Sequence, residues 1–192
     1  MKTYQVDTAA STFPVSLTEA KSHLKVDTSA DDTYITSIIK AATQLSEEYT
    51  NRFFINTTLK QFASSFKEIE TLFKSKVSAV NHVKYYDSNN TLQTLSPNVY
   101  SKQLEYEPAQ IQLAHNQSFP NITKRNDAVE VEYVVGYGSS ASDVPEIIKQ
   151  AILLTIGNFY QNRNSVVIGR IATELPQNVK WLLDTYKVQI VG

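Results

Sequence analysis

His23, His82 and His115 come first among residues that could do chemistry, because imidazole binds metals and titrates near neutrality. None has a second ligand-type side chain at a recognised metal spacing, so no metal site is expected. The chain has 0 cysteines, which removes thiolate nucleophiles, disulfides and the usual structural zinc clusters. Glu130 and Glu132 could be imagined as paired carboxylates, but two positions apart on a strand they share the solvent side. Glu47-Glu48 reads as a solvated helix face. There is no GxSxG elbow, and neither GxxxxGK[ST] nor GxGxxG occurs; 5 glycines leave little material for a phosphate cradle. The expectation is a chain with no catalytic residue and no cofactor, hence not an enzyme.

Two basic–aromatic groups point toward nucleic acid: Lys84-Tyr85-Tyr86 and Lys74-Ser75-Lys76. Stacking platforms need exposed aromatics flanked by Lys or Arg. On a strand, however, one of Tyr85 and Tyr86 turns to the core. With 18 Lys and Arg against 19 Asp and Glu, no global positive field draws phosphate. Lys124-Arg125 adds too little to change this. No apolar run approaches ~18 residues, so no membrane span is expected, and the N-terminal residues lack the apolar core of a signal peptide. The Asn-x-Ser/Thr sequons at Asn56, Asn89, Asn116 and Asn121 reflect a composition rich in these residues.

The elements that carry these residues centre on one helix, residues 143–164. Val144, Ile147, Ile148, Ala151, Ile152, Thr155, Ile156, Phe159 and Tyr160 recur at three- and four-residue steps and share one broad face. Asp143 with Glu146 resembles a capping box, and Pro145 falls in the first turn. Gly157 costs ~1 kcal/mol inside a helix, so close packing of another backbone is expected there.

Upstream, residues 1–15 read as an irregular lead-in. Ser16-Leu17-Thr18-Glu19 is a capping box opening a short helix to about Val26. A second helix spans residues 31–52, with Tyr34, Ile35, Ile38, Ile39, Ala42, Leu45 and Tyr49 on its apolar face. Short segments at 58–66, 80–86, 91–95, 99–102, 110–114 and 128–135 then read as strands, rich in β-branched and aromatic residues. Asp87-Ser88-Asn89-Asn90 reads as a hairpin turn, and residues 136–140 as a flexible exit loop. After Asn164, residues 165–175 are apolar without a helical stripe, an extended arm or hairpin. Pro176 opens a last helix carrying Val179, Trp181, Leu182, Leu183 and Tyr186. The fold class is therefore α+β: a mainly helical body of four helices, with a small antiparallel β region (residues 54–137) inserted between helices 2 and 3. Residues 1–192 form a single domain on this reading.

The order of motifs is more telling than any one of them. Glu-Ala-Lys-x-His-Leu-x-Val-Asp stands at 19–27 and Tyr-Tyr-Asp…Leu-x-Thr-Leu at 85–95. Gly-Tyr-Gly…Val-Pro-Glu-x-Ile-Lys-Gln-Ala-Ile-Leu-Leu stands at 136–154, followed by Tyr-x-Asn-Arg at 160–163. In this order, over residues 15–188, the chain resembles the head–tail connector proteins of tailed bacteriophages, also called adaptor or head-completion proteins. The first fifteen residues and the 165–175 arm have no close counterpart in that pattern.

The resemblance implies a structural virion protein at the neck, assembled in the host cytoplasm. About twelve copies would form a ring beneath the portal protein, extend the DNA channel and present a surface to the next neck or tail protein. DNA would pass without sequence-specific binding. Another neck or tail-completion protein is the alternative, with a nucleic-acid-binding module behind it. For the interface, the expected residues are Arg163, Val166, Val167, Ile168, Arg170 and Ile171 in the arm. Trp181 and Tyr186 join them, although core packing of the last helix would explain both equally well.

Overall fold

The computed structural model describes residues 3–163 and 175–188. They divide into two compact units: residues 3–10 with 56–137, and residues 11–55 with 138–163 and 175–188. The second unit carries four helices among the described residues: α1 (Leu17–Leu24), α2 (Asp32–Thr50), α3 (Glu146–Gln161) and α4 (Gln177–Asp184). The first is built on antiparallel sheet. The class is α+β, as the sequence indicates.

In the helical unit, α1 starts on the expected capping box. The Glu19 N–H donates to Ser16 Oγ at 3.2 Å, and the Ser16 N–H donates to the Glu19 carboxylate at 2.7 Å. Lys25 ends the helix in the left-handed region at φ 56°. Lys149 of α3 reaches Glu19 at 3.1 Å and ties the two helices. That contact and the Ser16 hydrogen bonds, which come first, hold the Glu19 carboxyl below its ordinary range.

The buried face of α2 is more polar than its pattern suggests. Ile35, Ile38, Ile39 and Ala42 are buried, but so are Thr43, Ser46 and Thr50. Each of these three hydroxyls donates to the carbonyl four residues back at 2.8 Å. That internal bond removes the ~1–3 kcal/mol cost of a buried unpaired hydroxyl. Leu45 and Tyr49 are half-buried at the edge of the face.

The central helix departs from expectation in three ways. It begins at Glu146, with Pro145 in the cap position. The proline holds Val144 extended at φ −82°, ψ 130°, so the helix cannot start earlier. Asp143 instead accepts the Ser140 N–H at 2.9 Å and closes a box around the 3-10 turn Ala141–Asp143. Second, Ile147 is 46% exposed, because the buried stripe runs through Ile148, Ala151, Ile152, Thr155, Ile156 and Phe159 and leaves it off the edge. Third, no backbone closes on Gly157; a Cβ there would lie 3.5 Å from His23 Nε2, an ordinary contact.

The β unit holds a five-stranded antiparallel sheet in the order β1-β2-β7-β3-β4. Its strands are β1 (Thr3–Thr8), β2 (Thr57–Ala63), β3 (Val77–Tyr86), β4 (Leu92–Thr94) and β7 (Val129–Val135). A separate two-stranded ribbon pairs β5 (Tyr100–Gln103) with β6 (Gln110–Leu113). Residues 1–15 are thus not all irregular: β1 pairs with β2, Tyr4 opposite Gln61 and Val6 opposite Leu59. All six β1 residues are exposed, so backbone pairing holds the strand where no buried face does.

β2 and β7 alternate strictly between buried and half-exposed positions. Their inner residues Leu59, Ala63, Val129, Val131, Tyr133 and Val135 form the centre of this core. The Asp87–Asn90 turn forms as expected, with Asp87 Oδ1 accepting the N–H of Asn89 and of Thr91 and with Asn90 at φ 59°. Residues 136–140 are closely fitted rather than loose: Gly136 donates its N–H to Lys76 O at 2.8 Å, and Asp143 crowds Gly138.

Candidate interaction surface

His82 lies across from Glu132 in the sheet, its imidazole nitrogens 3.5 Å from Glu130 and 3.9 Å from Glu132. Lys60 reaches Asp7 at 2.5 Å and Glu132 at 3.6 Å. The ladder of alternating charge on this outer face holds Lys60 above the ordinary lysine range, Asp7 contributing first. Among the described residues no group of three His, Asp or Glu side chains is placed to hold a metal ion.

The basic–aromatic step on β3 is also occupied from within. Tyr85 packs against Phe66, ring centroids 5.8 Å apart, and Phe119 stacks on Phe66 at 4.3 Å. The Arg125 guanidinium lies 3.6 Å over the Tyr86 ring while donating to Asp127 at 2.6 and 2.7 Å. Arg125 and Phe119 therefore hold the 114–128 connection against the sheet, and the ring face that a base would need on Tyr86 is covered. Both tyrosines are half-buried, so neither points simply into the core.

Of the expected interface residues, Val166, Val167, Ile168, Arg170 and Ile171 lie outside the described residues. The other three fall into three different settings. Arg163 folds back onto its own unit. Its Nη2 donates to Asp31 at 2.7 Å, and its guanidinium lies 4.7 Å over Tyr34 and 4.5 Å over Tyr160. Tyr160 donates to the same Asp31 oxygen, and Tyr34 donates to Phe159 O at 3.1 Å. This cluster fixes the end of α3 to the start of α2. Its members lie 129 and 132 residues apart, so no local spacing could reveal it.

The Asp31 carboxyl is held below the ordinary aspartate range, first by Arg163 and then by Tyr160. The cluster's contribution to stability is therefore present above that ordinary range and is lost as pH falls through the depressed value. Arg163→Ala is expected to move the Asp31 titration back up, read by carboxyl NMR. An Asp31 titration that does not move would show that the pair does not form.

Tyr186 accepts the Arg52 Nε–H on its backbone oxygen at 2.5 Å, and its side chain is half-buried. Trp181 is 68% exposed. Val179 and Leu183, four residues apart, form the buried stripe of α4, and Trp181 lies off it. Core packing therefore accounts for Val179 and Leu183 and leaves Trp181 unexplained. Beside α4 is an open groove of about 260 Å³ lined by Leu154, Asn158, Gln161, Pro176, Asn178 and Val179, with His23 and Gly157. Sequence reasoning missed it because its walls come from three helices.

In the chain, the β unit is inserted between α2 and α3. Residues 14–109, half of the chain, match the model of the phage gp6-like head–tail connector proteins, and the chain belongs to that family. It is a structural subunit of the head–tail connector class. No curated protein matches it. Among solved structures, it is similar to a chain in the neck of an empty GTA particle computed with C6 symmetry. That match has a TM-score of 0.79 at 19% identity and covers 98% of this chain and 97% of the other. A chain in the virion of a native gene transfer agent particle gives 0.75 at 19% identity, covering 98% and 96%. One in the neck of the native GTA particle computed with C12 symmetry gives 0.73 at 18%, covering 98% and 97%. At these identities the likeness is one of fold.

Proposed function

We propose that this chain is a ring subunit of the virion neck that sits beneath the portal, extends the DNA channel and joins head to tail. Family membership carries the reading. The fold shared over 98% of the chain with proteins of GTA necks, computed with C6 and with C12 symmetry, supports a ring assembly. The role is non-enzymatic. It accords with the placement of Glu130 and Glu132 beside His82 and Lys60 on the outer face of the sheet.

A net charge of -1 suits a channel through which DNA slides, because phosphate contacts dominate affinity and would hold it. A strongly basic inner wall in the assembled ring would contradict this part of the reading. The neighbours in the neck are the portal protein on one side and a downstream neck or tail protein on the other. The arm at 165–175 is proposed as a contact surface, and Val167→Asp should block joining while leaving the monomer folded. Co-sedimentation of that variant with the portal protein reads the effect, with circular dichroism as the folding control. Normal joining by Val167→Asp would remove the arm from the interface.

A further inference from the structure

We propose that Trp181 of one copy seats in the groove beside Gly157 of the next, linking copies of this chain head to tail. The inference rests on the ring reading and names the contact that would build it. Trp181 has the greatest exposure of the large apolar side chains among the described residues. Tryptophan is also enriched among the side chains that dominate binding energy at interfaces.

The groove offers what an indole requires. Its volume of about 260 Å³ admits one such side chain. Leu154, Pro176 and Val179 give it apolar wall, and the amide oxygens of Asn158, Gln161 and Asn178 offer acceptors for the indole N–H. Val179 lines the groove while Trp181, two residues on, lies ~200° further round the helix. Trp181 is not among the residues that line its own copy's groove. A contact between two different patches is heterologous, and it closes into a ring when the rotation closes.

Area argues against a simple dimer as the product. A fully buried tryptophan contributes ~150–250 Å², whereas a stable pair needs ~800 Å² from each partner. One such link is weak, and a closed ring in which every copy makes two is far stronger.

The chain has 1 tryptophan, so its fluorescence reports on Trp181 alone. As association proceeds at rising concentration, the emission should shift to the blue and acrylamide quenching should fall. Trp181→Ala should weaken each link roughly 30-fold. Gly157→Leu should fill the groove, and because a Cβ there makes only an ordinary contact with His23, the helix keeps its place. Each variant alone should stay monomeric, and an equimolar mixture of the two should go no further than pairs, since it holds one working tryptophan and one open groove per pair.

Association with Trp181 still open to acrylamide overturns the proposal, as does Gly157→Leu assembling like the parent. A mixture that assembles beyond pairs, or a parent chain that stays monomeric both alone and with the portal protein, also overturns it. If Gly157→Leu is blocked while Trp181 stays exposed in the parent assembly, the groove takes another segment and the tryptophan assignment fails. Rings that form on the portal with both variants leave the ring reading standing and remove this contact. A parent chain that adds no ring to the portal removes the reading itself.

Discussion

Gly136→Ala is expected to lower stability by about 3 kcal/mol or more. Gly136 adopts φ +135°, a region that side-chain-bearing L-residues rarely enter. A Cβ placed there would lie 2.7 Å from the backbone nitrogen of Asn56 and 2.8 Å from its Cα. These are backbone atoms at the start of β2, and a rotamer change cannot move them. The strand pairing holds both sides, since Thr57 lies opposite Val135 and Gly136 donates to Lys76 O. For a chain of this length the loss corresponds to a fall of roughly 6–12 °C in melting temperature. Thermal unfolding followed by circular dichroism reads it, and a shift under about 2 °C would mean that the backbone there relaxes freely.

Gln61→Leu is expected to cost about 2–5 kcal/mol despite the similar size of the two side chains. Gln61 is 0% exposed and serves three partners. Its Nε2 donates to Thr71 O at 3.2 Å, while its Oε1 accepts the Phe73 N–H at 2.9 Å and faces the Tyr133 hydroxyl at 3.2 Å. Leucine leaves the part-buried Phe73 N–H and Thr71 carbonyl without this partner, and an unpaired buried group costs up to ~1–3 kcal/mol. Tyr133→Phe should cost less, because it removes only the hydroxyl that donates to Phe73 O at 2.8 Å. Burial pushes this phenol above the ordinary tyrosine range, so it stays a neutral donor. Denaturant unfolding of the two variants gives the order, and a smaller loss for Gln61→Leu than for Tyr133→Phe would reverse the roles assigned here.

What was legible in the sequence was whatever local pattern decides. AVEVEYVV reads as a strand because Val129, Val131, Tyr133 and Val135 alternate with smaller demands on burial between them, and the sheet obeys that period. Ser16 and Glu19 announce α1 at three-residue spacing, and the atoms meet as expected. The misses share a cause, which is that a partner distant in sequence decides the outcome. β1 has no buried face and exists because β2 offers an edge. Thr43, Ser46 and Thr50 are buried by packing around α2 and bond to the helix backbone. Ile147 fits the apolar period but stays 46% exposed.

One local signal was available and misread: Pro145 excludes Val144 from the helix, which hands Asp143 to the turn before it. Arg163 has an anchoring side chain that its own unit consumes, whereas Trp181 has one that the unit leaves open.

The proposed function requires copies of this chain to form a ring on the portal. Electron microscopy of the portal protein of the same genome, incubated with the purified chain and recovered by sedimentation, tests it most directly. The expected product is an added ring at the narrow end of the portal, twelvefold and coaxial with its channel. A portal recovered bare, or decorated by scattered single copies, would contradict it and move the chain to a later position in the neck or tail.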